Sequence, residues 1–173
     1  VKILGVDPGG SGALALLSPG LLLAVDMPVF MVMRGKTAKA EVDFLALADL
    51  LAEWQPDVCY FEQVGGIPGQ AASAAFNFGR AVGLAEGAAK GTRARFVAVP
   101  PATWKRRMGL PTGQDKKDAK DASRAMATSM WPSAAALFRR VKDDGRAEAA
   151  LLAEYGRRLE LPAAQPAIQD IFA

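Results

Sequence analysis

At 173 residues, with 51% hydrophobic and 23% charged side chains, the chain has the length of one domain and enough apolar content for a proper core. It contains no histidine and one cysteine, which excludes Ser-His-Asp and Cys-His nucleophile systems and an internal disulfide and argues against a zinc site, so hydrolytic chemistry must run on carboxylates, lysine, hydroxyls or a hard metal. The net charge of +3 conceals an asymmetry: residues 1–79 hold 4 basic against 8 acidic side chains, residues 80–142 hold 14 against 4, and residues 143–173 hold 3 against 6, and such a basic middle is the footprint of a polyanion-binding surface.

The chain opens with a short apolar strand, Ile3 to Val6, that closes on Asp7; Pro8 cannot donate to a ladder and stops it. Gly9, Gly10 and Gly12 follow, where the backbone can turn sharply and another group can approach closely. Asp7 therefore reads either as a turn cap or as a reactive carboxylate at a strand end above a glycine floor. A second apolar strand begins at Ala13, and after Ser18-Pro19-Gly20 a third occupies residues 21–26, giving a meander. Residues 28–39 read as an exposed loop and residues 41–54 as a helix with apolar positions near helical spacing. Residues 58–62 form a fourth strand, again closing on a carboxylate, Glu62, with Cys59 inside it as a small buried hydrophobe.

Residues 70–90 predict a long helix in which Ala71, Ala75, Gly79, Gly83 and Gly87 recur every four residues and leave a shallow groove. Each interior glycine costs about 1 kcal/mol against alanine, so close approach of another backbone is expected, from this chain's own sheet or a neighbouring helix or from a second subunit. Phe76, Val82 and Leu84 would fill the rim of a two-copy contact. A fifth strand occupies residues 94–99, a short helix 102–108, a lysine-rich helix 112–131, a short helix up to Arg140 and a last helix 144–159. The order fits an α/β layer fold with an antiparallel start and a later parallel part: one domain over residues 1–160, then a tail, 161–173. No run of 18 apolar residues predicts a membrane span, and no basic-then-apolar leader is apparent, so a cytoplasmic protein is expected.

Carboxylates recur at element ends. Asp7 and Glu62 would meet at one sheet edge if their strands are neighbours in register. Asp144 and Glu148, four apart, share a face of the last helix. Asp143 and Asp144 also suit a helix start as simple caps, whereas Glu148 lies a turn further in, where capping explains it less well. Clustered carboxylates repel unless neutralised, and hard divalent cations such as Mg²⁺ do this with oxygen ligands. Two such ions about 3.5–4 Å apart can activate water and stabilise the leaving oxygen in phosphodiester cleavage, while a basic surface holds the nucleic acid.

Four segments in order, Gly5-Val6-Asp7-Pro8-Gly9, Phe61-Glu62-Gln63-Val64, Trp104-Lys105 after Val99-Pro100-Pro101, and Asp144-Gly145-Arg146-Ala147-Glu148-Ala149, resemble the RuvC-type Holliday-junction resolvases, in flavour their phage-like branch. The resemblance implies an α/β ribonuclease-H-like fold with a five-stranded mixed sheet flanked by helices. It implies a homodimer that cuts four-way or branched DNA with Mg²⁺ or Mn²⁺, two ions per site and no nucleotide cofactor, in a bacterial or phage-infected cell. Asp7, Glu62, Asp144 and Glu148 match the family's catalytic metal ligands. Cellular members space the last pair by three residues and this chain by four, which makes Asp143 a rival to Asp144. Lys105, Arg106, Arg107, Lys116, Lys117 and Lys120 fall where the family binds phosphates, and Phe76, Gly79, Gly83 and Gly87 are the candidates for a dimer seam. The family's aromatic residue after Glu-Gln-Val, which enters the junction, is replaced by Gly65-Gly66, with Phe76 or Phe78 as substitutes. Two alternatives stand beside this: a non-catalytic branched-DNA-binding protein of the same fold, and a phosphotransferase of the actin and sugar-kinase kind, for which 173 residues is short and a second phosphate loop is missing.

Overall fold

In the computed structural model, which describes residues 1–66, 69–111 and 116–161, the meander forms as strands β1 (Ile3–Asp7), β2 (Ala13–Ser18) and β3 (Leu21–Asp26). A hairpin follows, β4 (Val29–Arg34) and β5 (Thr37–Val42), then helix α1 (Phe44–Trp54), strand β6 (Val58–Glu62), helix α2 (Ala72–Gly91) and strand β7 (Arg95–Val99). Helices α3 (Pro101–Met108) and α4 (Lys116–Met130) lead through two 3-10 segments, Pro132–Phe138 and Val141–Asp143, into α5 (Asp144–Glu160). The expected tail beyond residue 161 lies outside the described residues.

The main sheet has five strands in the order β3-β2-β1-β6-β7. Its β1–β2 and β2–β3 pairs are antiparallel, and β1–β6 and β6–β7 are parallel, so it is the mixed sheet expected. Because β1 and β6 run parallel with Val6 opposite Phe61, their terminal carboxylates, Asp7 and Glu62, lie at the same edge. Asp26, opposite Ala13, ends β3 at that edge too.

Alternation along the strands divides the core in two. Ile3, Ala13, Ala15, Leu17, Val58 and Tyr60 pack under α5, and Leu4, Val6, Leu14, Leu16, Cys59 and Phe61 pack under α1 and α2. Helix α5 lies directly on β1, so close that a Cβ at Gly5 would stand 2.0 Å from the Ala149 carbonyl oxygen.

Three expectations are corrected. Residues 28–39 do not form a loop: they make most of a separate two-stranded sheet, turning at Gly35 with φ 62°. The alternation there is hidden in the sequence because much of it faces solvent and mixes Met, Lys and Ala. Glu41 and Val42 consequently belong to β5, and α1 starts later, behind Asp43, whose carboxylate accepts from the Ala46 amide at 3.1 Å. Finally, the glycine groove of α2 does not seat the helix on its own chain. Within 4 Å of a Cβ placed at Gly79, Gly83 or Gly87 there is nothing, and the helix packs instead through Ala85, Ala88 and Ala89.

Candidate active site

The loop after β1 is held by two backbone bonds, Gly12 N–H to Gly9 O (3.0 Å) and Met27 N–H to Gly12 O (2.9 Å). Glycine is required at position 12, since a Cβ there would lie 2.1 Å from the Asp7 carbonyl oxygen. The start of α5 presses on the same loop. A Cβ at Gly145 would stand 3.2 Å from both Asp7 Oδ2 and Ser11 O, so a glycine one residue after Asp144 brings the helix onto the carboxylate. Arg146 secures this end by a two-pronged ion pair to Asp26, Nε–Oδ1 2.6 Å and Nη2–Oδ2 2.8 Å.

Four carboxylates from three elements converge here. Burial, above all, holds the Asp7 carboxyl well above its ordinary value of 3.8; Glu62 and Glu148 push it further, Lys105 pulls it back, and Asp144 adds a smaller push. Glu62 is buried, and burial raises it as well, opposed by the Trp104 hydrogen bond and by Lys105. That bond runs from Trp104 Nε1 to Glu62 Oε1 at 2.9 Å, from an indole with no exposed surface. Glu148 Oε1 accepts from Lys105 Nζ at 2.8 Å and from Ser123 Oγ at 3.2 Å. Asp144 Oδ2 pairs with Lys120 Nζ at 2.5 Å, a contact that raises the lysine.

Asp143 has a different environment. Its side chain is 1% exposed and closes the turn before α5, accepting from the Arg140 amide (2.7 Å), Nε (2.9 Å) and Nη2 (2.7 Å). Burial alone would raise its carboxyl, but the Arg140 bonds outweigh that and hold it below the usual range. It is not among the charges acting on Asp7.

Of the basic residues singled out in the sequence, Lys105 and Lys120 reach the carboxylates. Arg106 and Arg107 instead line a surface groove with Thr103, Tyr155 and Leu159, and Tyr155 is about 10 Å along α5 from Glu148. Lys117 is exposed on α4, and the side chain of Lys116 lies outside the described part of the chain. Phe76 is exposed on α2, whereas Phe78 reaches Gly9, its ring 3.4 Å from where a Cβ would be. Sequence reasoning singled out Trp104 only within the Trp104-Lys105 segment and not as the partner of Glu62, and it missed Ser123. The one available signal was that Ser123 lies three residues after Lys120, on the same helical face.

Among the described residues no group of three or more acidic, histidine or cysteine side chains is gathered closely enough to hold a metal ion as it stands. Lys105 and Lys120 each draw one carboxylate into an ion pair. The donor chemistry nonetheless fits a hard divalent ion: every donor is an oxygen, and the burial, with the smaller mutual repulsion, that raises Asp7 and Glu62 is what such an ion offsets.

No family model matches the sequence, and no curated protein matches it. The chain shares its fold with solved structures, two RuvC structures among them. One is "T. thermophilus RuvC in complex with Holliday junction substrate", at a TM-score of 0.55 and 16% identity over 92% of this chain and 96% of that one. The other is "Thermus thermophilus RuvC structure", at a TM-score of 0.53 and 16% identity over 92% of this chain and 97% of that one. The fold is thus the RuvC-like, ribonuclease-H-like one.

Proposed function

We propose that this chain is a metal-dependent endonuclease that cuts branched DNA, a resolvase of the RuvC kind acting as a homodimer. The observation that carries the reading is that Asp7 and Glu62 end neighbouring strands at one sheet edge while the start of α5, which carries Asp144 and Glu148, presses onto Asp7, the four being electrostatically coupled and flanked by Lys105 and Lys120. Its fold neighbour was solved on a Holliday junction, which supports branched DNA as the substrate class.

The four carboxylates would hold Mg²⁺ or Mn²⁺, two ions in our reading, and bound there the ions supply an activated water and charge stabilisation for the leaving oxygen. Asp144 is preferred to Asp143, whose oxygens are already engaged by Arg140. Trp104 fixes one oxygen of Glu62 and thereby its rotamer; Ser123 does the same for Glu148. Lys105 and Lys120 place positive charge where a scissile phosphate must come, beside the same carboxylates. Phosphate contacts along the backbone fall to the basic stretch that includes α3 and α4.

A second reading, a branched-DNA-binding protein without catalysis, draws on the lysines that already neutralise Glu148 and Asp144. A nicking assay separates the two. With Mg²⁺ or Mn²⁺, a four-way junction should be cut at symmetry-related strands while linear duplex of the same sequence is spared, and no nucleotide should be hydrolysed. Tight junction binding with no cleavage in either metal would leave the second reading standing.

A further inference from the structure

We propose that the β4–β5 hairpin is a wedge that enters branched DNA at its branch point, an inference that rests on the branched-DNA reading above. The hairpin leaves the sheet at the edge that carries the carboxylates: β3 ends there at Asp26, and β4 begins three residues later. Its base is fixed to the site. Met27 N–H donates to Gly12 O (2.9 Å), Asp43 N–H donates to Pro28 O (2.9 Å), and the Ala40 carbonyl oxygen lies 3.8 Å from where a Cβ of Gly10 would be. An ion pair of 2.5 Å, Glu41 to Arg80, ties the second strand to α2. Whatever the hairpin touches is therefore held at a set position relative to Asp7.

The pairing register puts Val29, Met31 and Met33 on one face together with Val42, Ala40 and Ala38. This face starts in the core at Val42 and runs out into solvent, where Met31 is 63% and Met33 66% exposed between small alanines. Two strands alone gain little from such a face, so folding does not account for the methionines. The charge around them selects the occupant. Lys36 is exposed at the tip and Lys39 on the reverse face, and the hairpin's only acidic residue, Glu41, lies at the base against Arg80. An apolar tip flanked by cations fits nucleic acid. Flexible apolar side chains such as methionine part base steps while cations hold the neighbouring phosphates, and a branch point, where stacking is already interrupted, is the least costly place to enter.

The test uses the full chain with Met31→Ser and Met33→Ser together, with Lys36→Ala and Lys39→Ala as a second pair, on a four-way junction carrying 2-aminopurine at the branch. Wild type should bind the junction in preference to linear duplex and raise the 2-aminopurine fluorescence. The methionine pair, folded by circular dichroism and with unchanged sedimentation, should lose that rise, and its preference for the junction should fall about tenfold. The lysine pair should flatten the dependence of log affinity on log salt by about 0.9 for each phosphate that the two lysines neutralise in the wild type. Unchanged preference and fluorescence in the methionine pair would overturn the wedge while leaving the resolvase reading intact. A methionine pair that sediments as a smaller species would also overturn it, by showing that a second copy covers this face. Wild-type protein with no preference for the junction would overturn both readings.

Discussion

Helices α5 and α2 cover opposite faces of one sheet, and both are rich in alanine and glycine, yet they use those residues in contrary ways. From Ala147 to Gly156, α5 is buried at most positions, and its small residues are where backbones and rings nearly touch: a Cβ at Gly156 would lie 2.3 Å from the Tyr60 ring, and Gly5 beneath it admits the helix backbone itself. On α2 the glycines recur with the more regular spacing but meet nothing, and Phe76 beside them is 70% exposed. Regular spacing of small residues thus marks a face without naming what it faces. In this chain the isolated glycines seat the helix that carries Asp144 and Glu148, and the periodic ones border an open surface. One face carries the candidate site, and the other presents small residues with no neighbour from this chain.

The largest effect that would sharpen this contrast is at Asp7. Asp7→Asn should abolish cleavage in a Mg²⁺-dependent nicking assay and leave junction binding intact or tighter, since removing one negative charge beside Lys105 does not weaken attraction for DNA. The same substitution should stabilise the metal-free protein at neutral pH, because it removes a buried charge repelled by Glu62 and Glu148. Differential scanning fluorimetry without metal reads the gain. A lower melting temperature would mean that Asp7 is a structural cap. The pH dependence has a definite sign. The folded-state carboxyl is raised above 3.8, so at pH below 3.8 both states are protonated and the substitution gains nothing. As pH rises through the window between 3.8 and the raised folded value, wild-type stability falls relative to Asp7→Asn, and above that window the difference stays constant. Mg²⁺ should narrow it by stabilising the wild type more than the variant.

Next in size is the packing of α5. Gly5→Ala puts a methyl group against a carbonyl oxygen that cannot move without the helix, so it should cost about 3 kcal/mol or more, a large share of a typical domain's stability. Urea unfolding at unchanged slope measures it. A loss below about 1 kcal/mol would mean that α5 slides readily on β1, and the distinction between the two faces would fail.

Much of the fold was legible because its signals are local. Asp7-Pro8 and Glu62 mark strand ends, Ser18-Pro19-Gly20 a turn, and the paired Pro100-Pro101 the end of β7 and the start of α3. The hairpin was not legible, because its outward methionines follow no burial pattern. The site was legible as a set of acids and obscure in its pairings. Asp143 and Asp144 are neighbours that a helix start could use interchangeably, and the difference is made by Arg140, whose side chain reaches forward three residues onto Asp143. Lys105 and Lys120 meet acids 43 and 24 residues away in sequence, and Trp104 meets Glu62 across 42. Only tertiary structure brings such partners together.

The smallest expected change in stability is at Gly83, and it bears most directly on the open face. A Cβ there has no neighbour within 4 Å, so Gly83→Ala should fit without strain and raise stability by about 0.5–1 kcal/mol through helix propensity, roughly 2–4 °C in a domain of this size. That gain requires the position to be open in the species measured. A four-way junction calls for two symmetry-related cuts, and one site per chain therefore calls for a two-fold pair, for which this face is the candidate seam. The outcomes then part by concentration. In dilute, monomeric protein Gly83→Ala is stabilising; in a dimer whose helices cross at this groove, Gly83→Leu keeps the two backbones apart. It should sediment as a folded monomer and make single nicks where the wild type makes paired cuts. If Gly83→Leu remains a folded dimer, the seam lies on another surface and α2's glycines serve neither the chain's own packing nor its assembly.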